Sequence, residues 1–484
     1  MAVRPRSRLV ADQGSDPEPV GREARWGGPK TALVGLLALA AGLRLIGIRH
    51  GLPFPLLNPD EGNIVPRAWR MVHGAGLDPN WFDYPSLTLY LLAPLQAGHE
   101  APSYVAARLV VASLGVAGVA ATWWLGRRAY GVRAAAVAAA SVAVATTHVA
   151  YSHVAVTDVP LVLGVAISLA LMISGRLELA GVVVGLSIGV KYPGVLLLVP
   201  LVVAGWGRWG RLALSLVLVP AAFFVASPFV FLDAGEAAGD AFRVQRLARE
   251  GWLGFEHDQL AAIVFAERLW EAIGPALIVA AAGVGYALVR RELADRVLVS
   301  FVVVYFLNLL TLGAHFDRYV LPLLPALGAL AGRFRTLAPV TLLLLVVPLT
   351  WTIQDVRRLM LTDTRLPALA WIERNVPAGS RVAADPSTPP LEGLETIRLR
   401  LPGPGRSPDP RRDLARLRRE GVEYVLVTGA VADRVLAARA RYPDEAAFYD
   451  DLERRADELL RVEPGGDLTG PWVALYRLAA PASR

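Results

Sequence analysis

Apolar runs of roughly 15 to 23 residues recur between positions 31 and 353, and short charged clusters separate them. Runs of that length predict membrane-crossing helices, because a hydrocarbon core of about 30 Å takes about 20 residues at 1.5 Å per residue. They fall at 31–48, 104–125, 132–150, 157–175, 178–206, 211–232, 271–290, 295–313, 319–332 and 337–353. The 178–206 run is too long: as one helix it extends about 43 Å and buries Lys191 near its middle, at about 2.5–3.5 kcal/mol. Two short helices turning at "VKYPG" remove both difficulties and bring the count to eleven. A shorter run at 84–98, "YPSLTLYLLAPLQAG", predicts a re-entrant or interfacial helix.

Charge orients these elements, since Lys and Arg collect in cytoplasmic loops. The basic N-terminal tail starts inside, and the first helix delivers "NPDEGNIVPRAW" to the outside. The clusters "GRRAYGVR", "SGRLE", "GWGRWGR", "RRELADR" and "GRFRT" then all fall inside. Every polar cluster that is not simply basic falls on the outer face: Asp60-Glu61, His148 to Asp158, Lys191-Tyr192 and His315 to Tyr319. Residues 233–270 form an external loop or interfacial segment on the same face. Eleven spans also send residues 354–484 outside.

Composition agrees with a membrane protein. Of 484 residues 54% are hydrophobic and 19% charged, with mean hydropathy +0.44, against about 25% charged in soluble domains. The net charge of +7 does not imply nucleic acid, because the arginines sit between apolar runs and topology accounts for them. The absence of cysteine excludes a disulfide framework and a thiolate metal site. Residues 1–30 are polar, Arg- and Pro-rich and predicted to be a disordered cytoplasmic tail. The first apolar run lacks a small-residue cleavage site and reads as a retained helix. An Ala- and Arg-rich, Lys-poor composition points to a GC-rich bacterium and hence to its plasma membrane.

After Asp355 the sequence turns soluble. "TRLPALAWIERNVPAGS" and "DPRRDLARLRRE" have helical spacing, while "RVAAD", "IRLRL", "GVEYVLVTG" and "WVALYRL" read as strands. Alternation of this kind predicts a small α/β domain over 354–484. It carries no Gly-rich phosphate loop and no catalytic constellation, so its expected role is acceptor contact or scaffolding. The fold class is thus a polytopic α-helical membrane protein with a C-terminal soluble α/β domain.

A lone Asp-Glu pair is ordinarily a solvated loop. Here it follows the first helix closely, Arg67 and Arg70 follow at helical distance, and Trp81, Phe82 and Tyr84 come at interface depth. An aromatic belt alone accounts for those three rings. The stretch "DEGNIVPRAWRMVHGAG…FDYPSLTLYL" resembles the first external loop of the GT-C glycosyltransferases related to the protein O-mannosyltransferases and the lipid A aminoarabinose transferases. Tyr84-Pro85-Ser86-Leu87 departs from that pattern in its second proline. "HVAYSHVAVTDVPLVL" is similar to the family's second external acid, at Asp158; "VKYPGVLLLVP" to its membrane-surface lysine, at Lys191. "HFDRYVLPLLPAL" resembles its Arg-Tyr-x-x-Pro-x-x-Pro helix start, at Arg318, Tyr319, Pro322 and Pro325.

That resemblance implies a polyprenyl-phosphate-linked sugar donor and transfer to an acceptor hydroxyl of a protein, lipid or glycan at the outer membrane face. A carboxylate takes the acceptor proton, a role typically worth 10²–10⁴-fold, and Asp60 is the candidate base. Glu61 points elsewhere on a helix and is expected to orient Asp60 or a partner. Lys191, Arg318, Tyr192 and Tyr319 are candidates for the donor phosphate and sugar; Arg67, Tyr84, His153, Asp158 and His315 for supporting contacts. Each has a plainer reading: snorkelling for Lys191, a helix-end anchor for Arg318, and an N-cap for Asp158. His148, His153 and Asp158 match no compact zinc spacing, so no metal is assigned, with a divalent ion left open. Two rival functions stand beside this one: a transporter or flippase, and a glycan ligase or polymerase with a diphosphate donor.

Overall fold

The computed structural model describes residues 28–55, 58–255 and 259–478. Almost all of the expected disordered tail therefore lies outside the described residues. From Pro29 to Arg358 the described chain is helical, with 3-10 and π turns at the breaks. Three described helices are long and apolar enough to cross a membrane: Tyr104–Tyr130, Trp209–Ala226 and Ala338–Arg358, the last made of two consecutive segments. The number rises to five if each of two bent pairs is one span, Val132–Val144 with Thr146–Ser152 (57°) and Ala261–Ile273 with Ala276–Arg290 (118°). Other expected spans are shorter apolar helices, among them Asp158–Ile173, Leu177–Val190 and Tyr192–Gly205. By helix length the described residues carry three to five spans, against the eleven that the apolar runs predict.

The breaks have chemical causes. Leu177–Val190 ends at Lys191, whose backbone is extended (φ −156°, ψ 134°) and leads into a 3-10 turn over Tyr192–Leu197 that carries Pro193. The chain then folds back, so closely that a Cβ on Gly194 would lie 2.6 Å from the carbonyl carbon of Ser187. This is the break anticipated at "VKYPG". The 84–98 segment is a short helix, Leu87–Leu92, continued by a 3-10 turn over Ala93–Gln96.

Helix contacts in a membrane have little hydrophobic drive, so small residues that admit close backbone approach carry much of the packing. Gly181, Gly185 and Gly189 repeat every fourth residue along Leu177–Val190 and face Trp209–Ala226. A Cβ on Gly181 would lie 2.4 Å from the Ser215 carbonyl oxygen, and one on Gly185 2.3 Å from that of Val219.

The C-terminal region contains a five-stranded sheet of order β3-β2-β4-β7-β5. Its strands are β2 (Arg381–Ala384), β3 (Glu395–Arg398), β4 (Tyr424–Thr428), β5 (Asp457–Val462) and β7 (Val473–Arg477). The first three pair in parallel, and β7 runs antiparallel to both β4 and β5. A two-stranded ribbon, β1 (Thr362–Asp363) with β6 (Leu468–Thr469), lies where the last membrane helix meets this sheet. Beneath β2, Asp385 is buried and accepts from the Arg412 guanidinium and the Tyr449 hydroxyl, each at 2.8 Å.

Gly185→Val is expected to abolish the folded protein, because its branched side chain meets backbone rather than a movable side chain. Size-exclusion profiles of the detergent-solubilised variant check this, with Gly210→Val, where nothing lies within 4 Å of the added Cβ, eluting as wild type.

Candidate active site

The helix Pro59–Arg70 starts the site. Asn58 caps it by accepting from the Asp60 amide at 2.9 Å, and Pro59 stands at a position where its missing N–H costs nothing. This fixes Asp60 and Glu61 in the first turn, where the helix dipole favours carboxylates. A helix separates neighbouring side chains by about 100°, and the two acids accordingly point apart.

Asp60 faces the polar cluster. Its Oδ2 accepts from the Arg318 guanidinium at 2.5 Å and from the Tyr84 hydroxyl at 2.9 Å. Its side chain stays a quarter exposed, against 10% for that of Arg318. Burial by itself would push the Asp60 carboxyl up. The adjacent Arg318 charge, the two hydrogen bonds and the nearby Lys191 outweigh it and hold the carboxyl below its ordinary value.

Lys191, at the extended break, donates to Asp158 Oδ1 at 2.6 Å, and both are buried. Its ammonium stands 5.6 Å from the ring centres of both Tyr84 and Tyr319. Tyr84 therefore touches both charged pairs, one through its hydroxyl and one through its face. Asp317 completes the cluster, accepting from the Arg318 amide at 2.8 Å and the Tyr151 hydroxyl at 2.7 Å. Two buried polar atoms here have no hydrogen-bond partner among the described residues: Asp158 Oδ2, an acceptor, and Arg318 Nε, a donor. A cavity of about 240 Å³ adjoins the cluster, lined in part by Asn58, Tyr151, His153, Asp317 and Thr352.

The other anticipated residues are placed differently. Glu61 is fully buried and clasped by Arg108, with Nε to Oε1 and NH2 to Oε2 both at 2.7 Å, while the Ala155 amide adds a third bond at 3.0 Å. Arg108 also donates to the carbonyls of Ile48 and His50. Glu61 thus ties the first loop to the end of the first helix and faces away from Asp60. His153 borders the cavity, but its two ring nitrogens lie 2.8 Å from the Val149 and Ile46 carbonyl oxygens. Arg67 covers the Trp81 ring at 4.4 Å and donates to the Asn63 carbonyl. Tyr192 donates to the Phe82 carbonyl at 2.9 Å, fixing the loop that carries Tyr84. His315 packs edge-on against Phe265. Among the described residues no group of three His, Cys, Asp or Glu side chains is arranged to hold a metal ion.

Sequence reasoning overlooked Asp317, Tyr151, Arg108, and the set Asp83, Asp240 and Arg243. In that set Arg243 bridges Asp83 and Asp240, and Asp240 accepts from the Phe82 amide, pinning the helix Ala234–Glu250 against the aromatic loop. The signal for Asp317 was present: it adjoins Arg318 in the quoted motif. Arg243 and Asp83 lie 160 residues apart, with nothing local to link them.

Removing Arg108 leaves the Glu61 carboxylate buried and unpaired, a loss of about 3–5 kcal/mol in stability. Arg108→Ala is therefore expected to unfold at markedly lower temperature in detergent. The double variant Glu61→Gln with Arg108→Met should recover most of that loss, and an unchanged midpoint in Arg108→Ala would refute the assignment.

Residues 81–313 match the family model described as Glycosyltransferase family 87. Comparison with curated proteins finds no match in sequence. Several solved structures share the fold. The apo structure of ArnT from Cupriavidus metallidurans is 16% identical with a TM-score of 0.59, covering 92% of this chain and 98% of that one. The same protein bound to undecaprenyl phosphate gives 15% and 0.55, covering 92% and 97%. The apo oligosaccharyltransferase of Archaeoglobus fulgidus gives 13% and 0.56, covering 90% and 73%. This chain therefore has the GT-C fold of a multi-pass membrane protein, and its residues 81–313 carry the match to glycosyltransferase family 87.

Proposed function

We propose that this chain is an integral membrane glycosyltransferase that moves a sugar from a polyprenyl-phosphate donor to an acceptor hydroxyl at the extracytoplasmic face. In this reading eleven spans set the N-terminus in the cytoplasm and residues 354–484 outside a bacterial plasma membrane. The observation that carries it is the convergence of Asp60, Tyr84, Asp158, Lys191 and Arg318 at helix ends, drawn from four distant segments. Two cations, Lys191 and Arg318, suit an anionic phosphate leaving group. A structure of the same fold, ArnT, was solved with undecaprenyl phosphate.

The reaction is a single displacement. The acceptor oxygen attacks the anomeric carbon, the bond from that carbon to the phosphate oxygen breaks, and the electron pair departs with the phosphate. Asp60 takes the acceptor proton; its depressed carboxyl keeps it ionised at neutral pH. Arg318 and Lys191 stabilise the charge growing on the leaving phosphate, an effect strongest where water is excluded. Asp158 holds Lys191 with one oxygen, and its unpartnered Oδ2 suits a sugar hydroxyl. Arg318 Nε suits a phosphate oxygen. The cavity lined by Asn58, Tyr151 and Asp317 suits the acceptor, since Asn58 caps the helix that carries Asp60 and Asp317 adjoins Arg318. Direct attack inverts the anomeric centre.

Sugar transfer measured in purified membranes with radiolabelled polyprenyl-phosphate sugars tests this. Asp60→Asn is expected to lose about 10²–10⁴-fold in rate while still inserting and binding donor. Equal transfer by wild type and variant would remove Asp60 from catalysis. Transfer only from diphosphate-linked donors would replace the proposed donor class.

The pH profile supplies a second test. Because Asp60 is held low, wild-type activity should fall only in acid, below about pH 4. Without the Arg318 charge, burial pushes the carboxyl up, so the acid limb of residual activity in Arg318→Gln should move to higher pH. An unmoved limb would separate Asp60 from the titrating group.

A further inference from the structure

The C-terminal sheet and the catalytic cluster are joined by one short segment. Residues 251–255 leave the helix Ala234–Glu250 and run along the C-terminal domain. Leu253 is fully buried there, in one core with Leu399, Leu417, Val425, Val431 and Val435. The neighbouring Gly254 has φ 78°, and a Cβ on it would lie 2.6 Å from the Arg434 side chain. The Arg434 guanidinium stands 5.2 Å from the Phe255 ring centre, and that of Arg406 4.6 Å from Trp252.

On its other side the same segment carries the approach to Arg318. The Gly313 and Ala314 amides donate to the Ala248 carbonyl at 2.9 and 2.8 Å, and the His315 amide donates to the Phe255 carbonyl at 2.8 Å. Phe316 packs on Phe255 at 4.4 Å and on Trp252 at 6.1 Å between ring centres. The Arg318 guanidinium lies over the Phe316 ring at 4.9 Å. Each contact in the series from Leu253 to Arg318 is thus direct.

We propose that the C-terminal domain is a positioning element for the transfer reaction, with Leu253 and Arg434 clamping the 251–255 segment so that Phe316 holds Arg318 against Asp60. This rests on the reading of Asp60 and Arg318 as catalytic groups, but the clamp itself is observable without activity. Two physical points favour it. Asp60 is partly exposed and Arg318 is a long, rotamer-rich side chain, so their 2.5 Å contact needs a rigid backing. The alternative of a passive appendage leaves a membrane-domain leucine at the centre of another domain's core without purpose. Leu253 and Arg434 touch no reacting atom.

The full-length protein in nanodiscs, carrying 4-fluorophenylalanine at Phe316, reads the clamp by its ¹⁹F resonance. Leu253→Ala and Arg434→Gln are compared with Leu426→Ala, whose side chain lies in the separate cluster with Leu369 and Ile372. Arg434→Gln guards against a Leu253 variant that simply unfolds. The clamp predicts a shifted or broadened resonance in both clamp variants and none in Leu426→Ala. It also predicts kcat lowered about tenfold to a hundredfold and an acid limb displaced upward. Unchanged resonances in both clamp variants would overturn the proposal, as would an equal shift in Leu426→Ala. Shifted resonances without any transfer activity in wild type would instead count against the glycosyltransferase reading and leave the clamp standing.

Discussion

Asp60 and Arg318 lie 258 residues apart in sequence and 2.5 Å apart in space, and the site depends on that contact. It joins the loop after the first helix to the segment before the Leu324–Ala331 helix, and it holds a partly buried carboxylate ionised. A lone carboxylate at that depth would take up a proton, and a lone guanidinium there would be costly to desolvate. Tyr84 links the pair to Lys191 and Asp158, so two ion pairs share one small volume. Around this cluster the buried Glu61–Arg108 pair supplies the fixed frame. The two acids of one dipeptide thus face apart, Asp60 toward the polar cluster and Glu61 into the buried frame.

Such an arrangement speaks against a transporter. A substrate pathway through the membrane favours ionisable residues near the midplane, between repeated halves of the chain. Here Asp60, Asp158, Lys191 and Arg318 all stand at helix starts or breaks, and each charge is already met by a partner from another segment. The one lysine among them is also unusual in a chain with a single other lysine, Lys30, among 49 basic residues. A compact ammonium on a flexible stem suits a group that trades a carboxylate for a phosphate during turnover.

Much of this was legible in the sequence because it was written locally. Apolar runs, the break at "VKYPG", strands β2, β3, β4 and β7 and the polar motifs at helix ends all came from short windows. The structure unites Asp60, Tyr84, Asp158, Lys191 and Arg318 much as their motifs anticipated. Helix length was not legible: prolines and extended residues shorten several expected spans well below twenty residues. Strand β5 escaped notice because it is a half-exposed edge with no apolar alternation. The Arg108 clasp and the 251–255 clamp escaped because their partners are far apart in the chain, and charge complementarity over such distances leaves no periodic trace. Arg67, His153 and Tyr192 were grouped with the site by motif, whereas each of them bonds a backbone carbonyl and helps to hold the local chain in place.

The central claim is that this cluster receives a lipid-borne phosphate. Binding of undecaprenyl phosphate to the purified protein in nanodiscs, titrated for wild type, Lys191→Met, Arg318→Gln and Arg211→Gln, addresses it most directly. Arg211 is paired with Glu178 at a distant helix end and serves as the control cation. The account predicts binding weakened about tenfold or more in the first two variants and unchanged in the third. Equal affinity in all four proteins would contradict it.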